Sequence, residues 1–123
     1  MRFIIYGAGG IGSAIGANLS RAGKDVVLVC RPGHAGALNT NGLKITSPGG
    51  INTVPLKAVT GLDQIQFKPD DVIFLTMKSQ ATEAALKDLK AKVDDVPIFC
   101  FQNGVRNEEF AGQYYSNVYG VMV

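Results

Sequence analysis

Cysteine and histidine are scarce in this 123-residue chain: Cys30 and Cys100 are the only cysteines and His34 the only histidine. Both cysteines stand at the ends of apolar runs that read as buried strands. They are expected as reduced core thiols in a reducing compartment, not as a disulfide framework. No cysteine or histidine has the spacing of a metal site, so no metal is expected. Charge of one sign is lacking too. Twelve basic against ten acidic residues leave a net charge of +2, too little to argue for nucleic acid or a membrane surface as partner. No apolar run approaches the length that spans a bilayer. The start, Met1-Arg2 followed by apolar residues, could be mistaken for a secretory signal. The glycines between Gly7 and Gly16 would weaken the helical hydrophobic segment such a signal needs. The expectation is one cytoplasmic globular domain, with 46% apolar and 18% charged residues.

What the chain does have is glycine in one meaningful place. The apolar run Phe3-Ile4-Ile5-Tyr6 is followed directly by Gly7-Ala8-Gly9-Gly10-Ile11-Gly12. Strand, glycine turn and helix in that order, with glycines at 7, 9 and 12, match the G-x-G-x-x-G pattern. There the first glycine makes the turn, the second lets a pyrophosphate approach the backbone, and the third lets helix and strand pack closely. The helix N-terminus, expected at Gly10 or Ile11, adds free N–H groups and partial positive charge. The alternative is that the glycines serve only tight packing.

Further along, Ile11, Ala14, Ile15, Leu19 and Ala22 recur at helical spacing and predict one buried stripe, with Gly23 as C-cap. Val26 to Cys30 is an unbroken apolar run of the kind buried on both faces. Arg31 to His34 reads as a turn before a short helix to about Leu38. Asn41-Gly42 carries turn chemistry, and Leu43 to Thr46 and Ile51 to Val54 read as a small hairpin reversed by Ser47 to Gly50. Val59 ends a short extended piece, and Leu62 to Ile65 reads as one helical turn. Val72 to Thr76, Pro97 to Phe101 and Val118 to Val123 read as further strands. Helices are expected from about Gln80 to Leu89, capped by Ser79, and after Asn107. The class is therefore α/β: a doubly wound, mainly parallel Rossmann-type sheet with a small hairpin inserted after the second strand. The last strand stops at Val123 without a covering helix or polar tail, which suggests part of a longer chain.

Folds of this type that bind NAD place an acidic residue at the end of the second strand, where it holds the ribose 2′-hydroxyl. Here the residue is Arg31, a planar cation suited to a 2′-phosphate, so the expected cofactor is NADP (NADPH). A solvated arginine after a strand is the alternative. Ligands of open α/β sheets lie beyond the carboxyl ends of the strands. Thr76-Met77-Lys78-Ser79-Gln80 and Gln102-Asn103-Gly104 occupy such positions. Lys78 suits an anionic group, and Asn103 can both donate to and accept from a carboxamide or a substrate oxygen. A surface lysine and an Asn-Gly turn are the alternatives.

Together the glycine turn, Arg31, the segment ending Asn41-Gly42-Leu43-Lys44-Ile45, Thr76 to Gln80, and Gln102-Asn103-Gly104-Val105 resemble the ketopantoate reductases. The resemblance runs over essentially the whole chain and implies NADPH-dependent reduction of 2-dehydropantoate to (R)-pantoate, in pantothenate and coenzyme A biosynthesis. It implies cofactor contacts at Gly7, Ala8, Gly9, Gly10, Ile11, Gly12, Arg31, Met77, Lys78, Gln80, Asn103 and Gly104, with Lys78 and Asn103 on the nicotinamide and substrate side. It also implies a second, all-helical domain that supplies the general-acid lysine and a homodimer contact, and nothing in these 123 residues matches that domain. Two other readings stay open: a nucleotide-sensing module, and another NADP-linked oxo- or hydroxy-acid dehydrogenase.

Overall fold

The computed structural model describes residues 1–7, 10–30, 32–76, 82–101 and 111–120, with backbone alone at 10, 11, 32, 34, 41, 45–47 and 52. In chain order the elements are β1 (Arg2–Tyr6), α1 (Gly10–Arg21), β2 (Asp25–Val29), α2 (Pro32–Asn41), β3 (Leu43–Ser47), β4 (Gly50–Val54), β5 (Lys57–Val59), a 3₁₀ turn (Leu62–Gln64), β6 (Asp71–Leu75), α3 (Thr82–Lys92), β7 (Ile98–Cys100) and β8 (Val118–Gly120). Six strands form one sheet in the order β5-β2-β1-β6-β7-β8, every pair parallel. The chain starts in the middle, builds outward to β5 through β2, then returns to the other side of β1. That return is the doubly wound topology. The expected hairpin is present as the antiparallel pair β3-β4.

Because side chains alternate across a strand, the sheet sorts its core into two faces. One carries Ile4, Val29, Ile73, Leu75, Ile98 and Cys100 beneath Leu86 and Leu89 of α3. The other carries Ile5, Val26, Leu28, Ala58 and Phe74, with Ala17 of α1 and Ala35 and Leu38 of α2. Full burial of such aliphatic side chains contributes about 1.5–3 kcal/mol each. Cys100 is buried and Cys30 half-buried, and the two are not joined in a disulfide. Burial pushes the Cys30 thiol pKa up. Among the described residues no helix is long and apolar enough to cross a membrane.

Two local expectations need correction. The buried stripe of α1 is turned from the predicted one: Ala14 and Ala22 are exposed, Ile15 and Leu19 half-buried, and Gly12, Ser13, Gly16 and Ala17 buried. The cause is glycine. A Cβ on Gly16 would lie 2.8 Å from Leu28 Cδ2, so the sheet selects the smallest residues and an apolar pattern misses them. The segment predicted as a turn at 32–34 is already helical, since proline is pre-organised for the first helical position. The turn chemistry of Asn41-Gly42 is used to end α2. Gly42 has φ +71°, and its N–H donates to the Leu38 carbonyl at 2.9 Å, a left-handed C-cap. The cap at Gly23 is as expected: φ is +81°, Gly23 N donates to Ser20 O and Lys24 N to Leu19 O.

Tyr115 is buried against the α3 side of the sheet and donates its hydroxyl to the Val93 carbonyl at 2.8 Å. Burial first, then Asp94 and Asp95, pushes its pKa up to about 12. The protonated phenol therefore stabilises the fold fully below an unfolded pKa of about 10. That stability is lost as pH rises from there through about 12. In an absorbance titration of the four tyrosines, Tyr115→Phe is expected to remove the last ionisation and flatten the loss of stability above pH 10. An unchanged alkaline limb would refute this account.

Candidate functional site

The sheet order decides which chain segments meet. Gly7 leaves the carboxyl end of β1 with φ +95°, a conformation only glycine adopts without strain. Its N–H donates to Val29 O at the end of β2, at 3.1 Å. On the other side of β1, Thr76 follows β6, its N–H donating to Tyr6 O at 3.0 Å. The Thr76 hydroxyl lies 2.9 Å from Gly7 O and 3.2 Å from Tyr6 O. One side chain thus ties the segment after β6 to the glycine turn. Beyond it, Phe101 N donates to Leu75 O at 2.9 Å, and Cys30 N donates to Val59 O at 3.0 Å. The carboxyl ends of β2, β1, β6 and β7 are consecutive neighbours along one edge. It spans roughly 14–15 Å at the usual strand spacing.

Of the residues singled out in the sequence, Gly7 lies at the turn, Gly10 and Ile11 open α1, and Gly12 sits in its first turn. At Gly12 the packing leaves no room for a side chain. A Cβ there would fall 2.5 Å from Thr76 Oγ1, 3.1 Å from Ile5 Cγ2 and 3.3 Å from Gly7 O. The close approach of helix, strand and turn leaves room for hydrogen alone. Ala8, Gly9, Arg31, Met77, Lys78, Ser79, Gln80, Asn103 and Gly104 lie outside the described residues. Each follows one of the four neighbouring strand ends.

Thr76 is the residue whose role sequence reasoning did not see. It opens the Thr-Met-Lys-Ser-Gln stretch, but only the β1–β6 pairing brings it to Gly7. Ser13 is a second surprise: it is buried, and its hydroxyl has no partner among the described residues. Helical spacing puts it on one face with Ala17 and Ser20, and Ser20 bonds Pro55 O beside the hairpin. Its face is therefore the hairpin side of α1. A cavity of about 320 Å³ lies elsewhere, lined by Arg2, Val27, Lys57, Val59, Gln64 and Lys68 among others, with Arg2 and Lys57 opening their strands. Among the described residues no group of three or more His, Cys, Asp or Glu could hold a metal ion.

The sequence profile of the family described as Ketopantoate reductase PanE/ApbA matches residues 3–123. A 2-dehydropantoate 2-reductase of Pyrococcus abyssi is 38% identical over 117 residues, covering 92% of this chain and 38% of that protein. Among solved structures, a 2-dehydropantoate 2-reductase from Geobacter metallireducens superposes with a TM-score of 0.83 at 30% identity, over 98% of this chain and 40% of the other. D-mandelate dehydrogenase, solved with NADH and anilino(oxo)acetate, superposes with a TM-score of 0.83 at 26% identity, over 98% and 40%. The chain spans about two fifths of the length of the relatives it matches.

Proposed function

The chain belongs to the ketopantoate reductase family, and from that premise we propose that it is the NADPH-binding part of a reductase that converts 2-dehydropantoate to (R)-pantoate. The observation that carries the reading is the order of the strand ends, β2-β1-β6-β7. That order ranks the four candidate segments as an extended dinucleotide needs them. Arg31, after β2, takes the adenosine 2′-phosphate. The turn from Gly7 to Gly12 and the start of α1 take the pyrophosphate. Met77, Lys78 and Gln80 after β6, and Asn103 and Gly104 after β7, take the nicotinamide end and the substrate beside it. The tight packing at Gly12 and the positive φ of Gly7 fit this use of the turn.

When bound, the cofactor supplies the hydride for the ketone carbon. The residues of this chain bind and orient. Lys78 offers an ammonium to a carboxylate or phosphate, and Asn103 offers one donor and one acceptor side to a carboxamide or a ketone oxygen. The general acid for the ketone oxygen is assigned to the part of a longer chain that the relatives carry in addition. The 123 residues alone are accordingly expected to bind NADPH and to turn over 2-dehydropantoate negligibly. A pathway role in pantothenate synthesis and a cytoplasmic site of action belong to the same proposal.

Arg31→Ala tests the cofactor assignment. A hydrogen bond to a charged group is worth about 1.5–3 kcal/mol, which is roughly ten- to a hundred-fold in affinity. Titration calorimetry is expected to show NADPH affinity falling by that factor while NADH affinity changes little. Equal losses would sink the assignment. D-mandelate dehydrogenase among the structural neighbours supports a second reading, a reductase of another 2-oxo acid. Comparing 2-dehydropantoate with an aryl 2-oxo acid on the chain extended with the rest of a relative separates the two.

A further inference from the structure

One face of one half of the sheet is built for a cover that the described residues do not provide. Strands β6, β7 and β8 are closed on their α3 side, where Ile73, Leu75, Ile98 and Cys100 are completely buried. The opposite side of the same strands carries a row of aromatic rings. Phe74 packs against Phe3 at 5.3 Å, Phe99 at 5.5 Å and Phe101 at 4.6 Å between centroids. Tyr119 stacks on Phe99 at 4.8 Å. Tyr119 is 47% exposed, and Phe3, Phe99 and Phe101 are half-buried. The described helices on this side, α1 and α2, pack over β1, β2 and β5. A parallel sheet is ordinarily covered on both faces, and a contiguous apolar patch at the surface marks a contact. Beyond Asp71, whose side chain is buried, β6, β7 and β8 carry no charged residue, so the contact is apolar. The outer edge of β8 is also unpaired among the described residues.

We propose that this aromatic face seats one helix of the polypeptide that the longer relatives carry in addition. The proposal rests on the reading that the chain is the dinucleotide-binding part of a longer reductase. Size selects this occupant over a second copy of the chain. Three strands of three to five residues present a surface about 10 Å wide and 10–17 Å long. That is the footprint of a single helix, about 10–12 Å across. It falls far below the roughly 800 Å² per partner of a stable interface between separate proteins. The relatives carry chain enough for such a helix, since the match covers only 38% of the Pyrococcus abyssi protein.

The test is hydroxyl-radical footprinting of this chain alone and of the same chain joined to the unmatched remainder of the Pyrococcus abyssi relative. Oxidation of Tyr119 is expected to fall at least fivefold in the joined chain, while Ile51, exposed on the separate two-stranded hairpin, reacts as before. Tyr119→Lys in the joined chain is expected to speed proteolysis between the two parts about tenfold, and Ile51→Lys to leave it unchanged. Equal Tyr119 reactivity in both chains overturns the proposal. So does protection that rises with concentration in the short chain, which would put a second copy on the face. If the joined chain fails to melt cooperatively, the same footprint is taken with the remainder added in trans, and unchanged Tyr119 reactivity again overturns it. NADPH binding measured on the same samples keeps the two ideas apart. Protection of Tyr119 without any dinucleotide binding supports the docking face and sinks the reading it rests on.

Discussion

Asp71→Ala is expected to destabilise the fold by about 3–5 kcal/mol, the range for leaving one member of a buried ion pair alone. Asp71 is completely buried at the start of β6, and Arg2 opens the neighbouring β1. Arg2 Nε donates to Asp71 Oδ1 at 3.0 Å and its NH2 to Oδ2 at 2.7 Å, a two-pronged pair. The same NH2 donates to Gln66 O at 2.8 Å, and Lys68 N donates to Asp71 Oδ2 at 2.7 Å. The carboxylate thus holds the amino ends of the two central strands together and shapes the loop that enters β6. The bond to Asp71 raises the Arg2 pKa against the opposing effect of burial, so the guanidinium stays charged. Removing Asp71 leaves that charge buried without its partner. The double replacement Arg2→Met with Asp71→Leu removes both charges and is expected to recover most of the loss. Urea unfolding of the wild type, Arg2→Met, Asp71→Leu and the double variant closes the cycle, with Asp71→Ala measured beside them. A single-mutant loss under about 1 kcal/mol would show that water solvates Arg2 in place of the carboxylate.

Gly12→Val is expected to cost about 2–4 kcal/mol, the sum of overpacking and a lost Thr76 hydrogen bond. The new Cβ would sit 2.5 Å from Thr76 Oγ1. That hydroxyl is held by the Gly7 and Tyr6 carbonyls, so it cannot move aside without releasing the turn. On the proposed function, the dislocated turn also loses the pyrophosphate, and the NADPH dissociation constant is expected to rise at least a hundred-fold, about 2.7 kcal/mol. The smaller Gly12→Ala, combined with Thr76→Ala, removes the closest contact and is expected to recover part of the stability. Calorimetric titration of Gly12→Val with unchanged NADPH affinity would disconnect the turn from the cofactor.

Both predictions rest on contacts between residues about seventy positions apart, and this separates what was legible from what was not. Apolar runs bounded by glycine, proline and acidic residues identified β1, β2, β6 and β7 because a strand buried on both faces leaves an unmistakable run. Local turn chemistry identified the cap at Gly23 and the hairpin of β3 and β4. The same local reading misplaced the contact face of α1, because glycine and serine buried against the sheet look like nothing in an apolar pattern. It marked turn chemistry at Asn41-Gly42 without showing that it ends a helix, because a left-handed glycine serves a helix end and a turn equally well. The pairing of Arg2 with Asp71 is not legible in the sequence, since nothing local marks a pair formed across 69 residues.

For the candidate site the division is similar. The glycine turn, Arg31, Lys78 and Asn103 are chemical statements that the sequence makes by itself, because residue type and position after a strand require no partner to be recognised. Their order along one edge was not available there, since a parallel sheet pairs strands far apart in the chain and only tertiary packing sets β2-β1-β6-β7 side by side. The sequence by itself determined the α/β class, the cap at Gly23, the hairpin of β3 and β4 and the chemistry on offer. The tertiary structure decided which pieces of that chemistry are neighbours, that Thr76 locks the turn at Gly7, and that an aromatic face on β6 to β8 is left uncovered by α1 and α2. Periodicity and turn residues are local and can be read along the chain, whereas adjacency in a sheet is a property of the closed core.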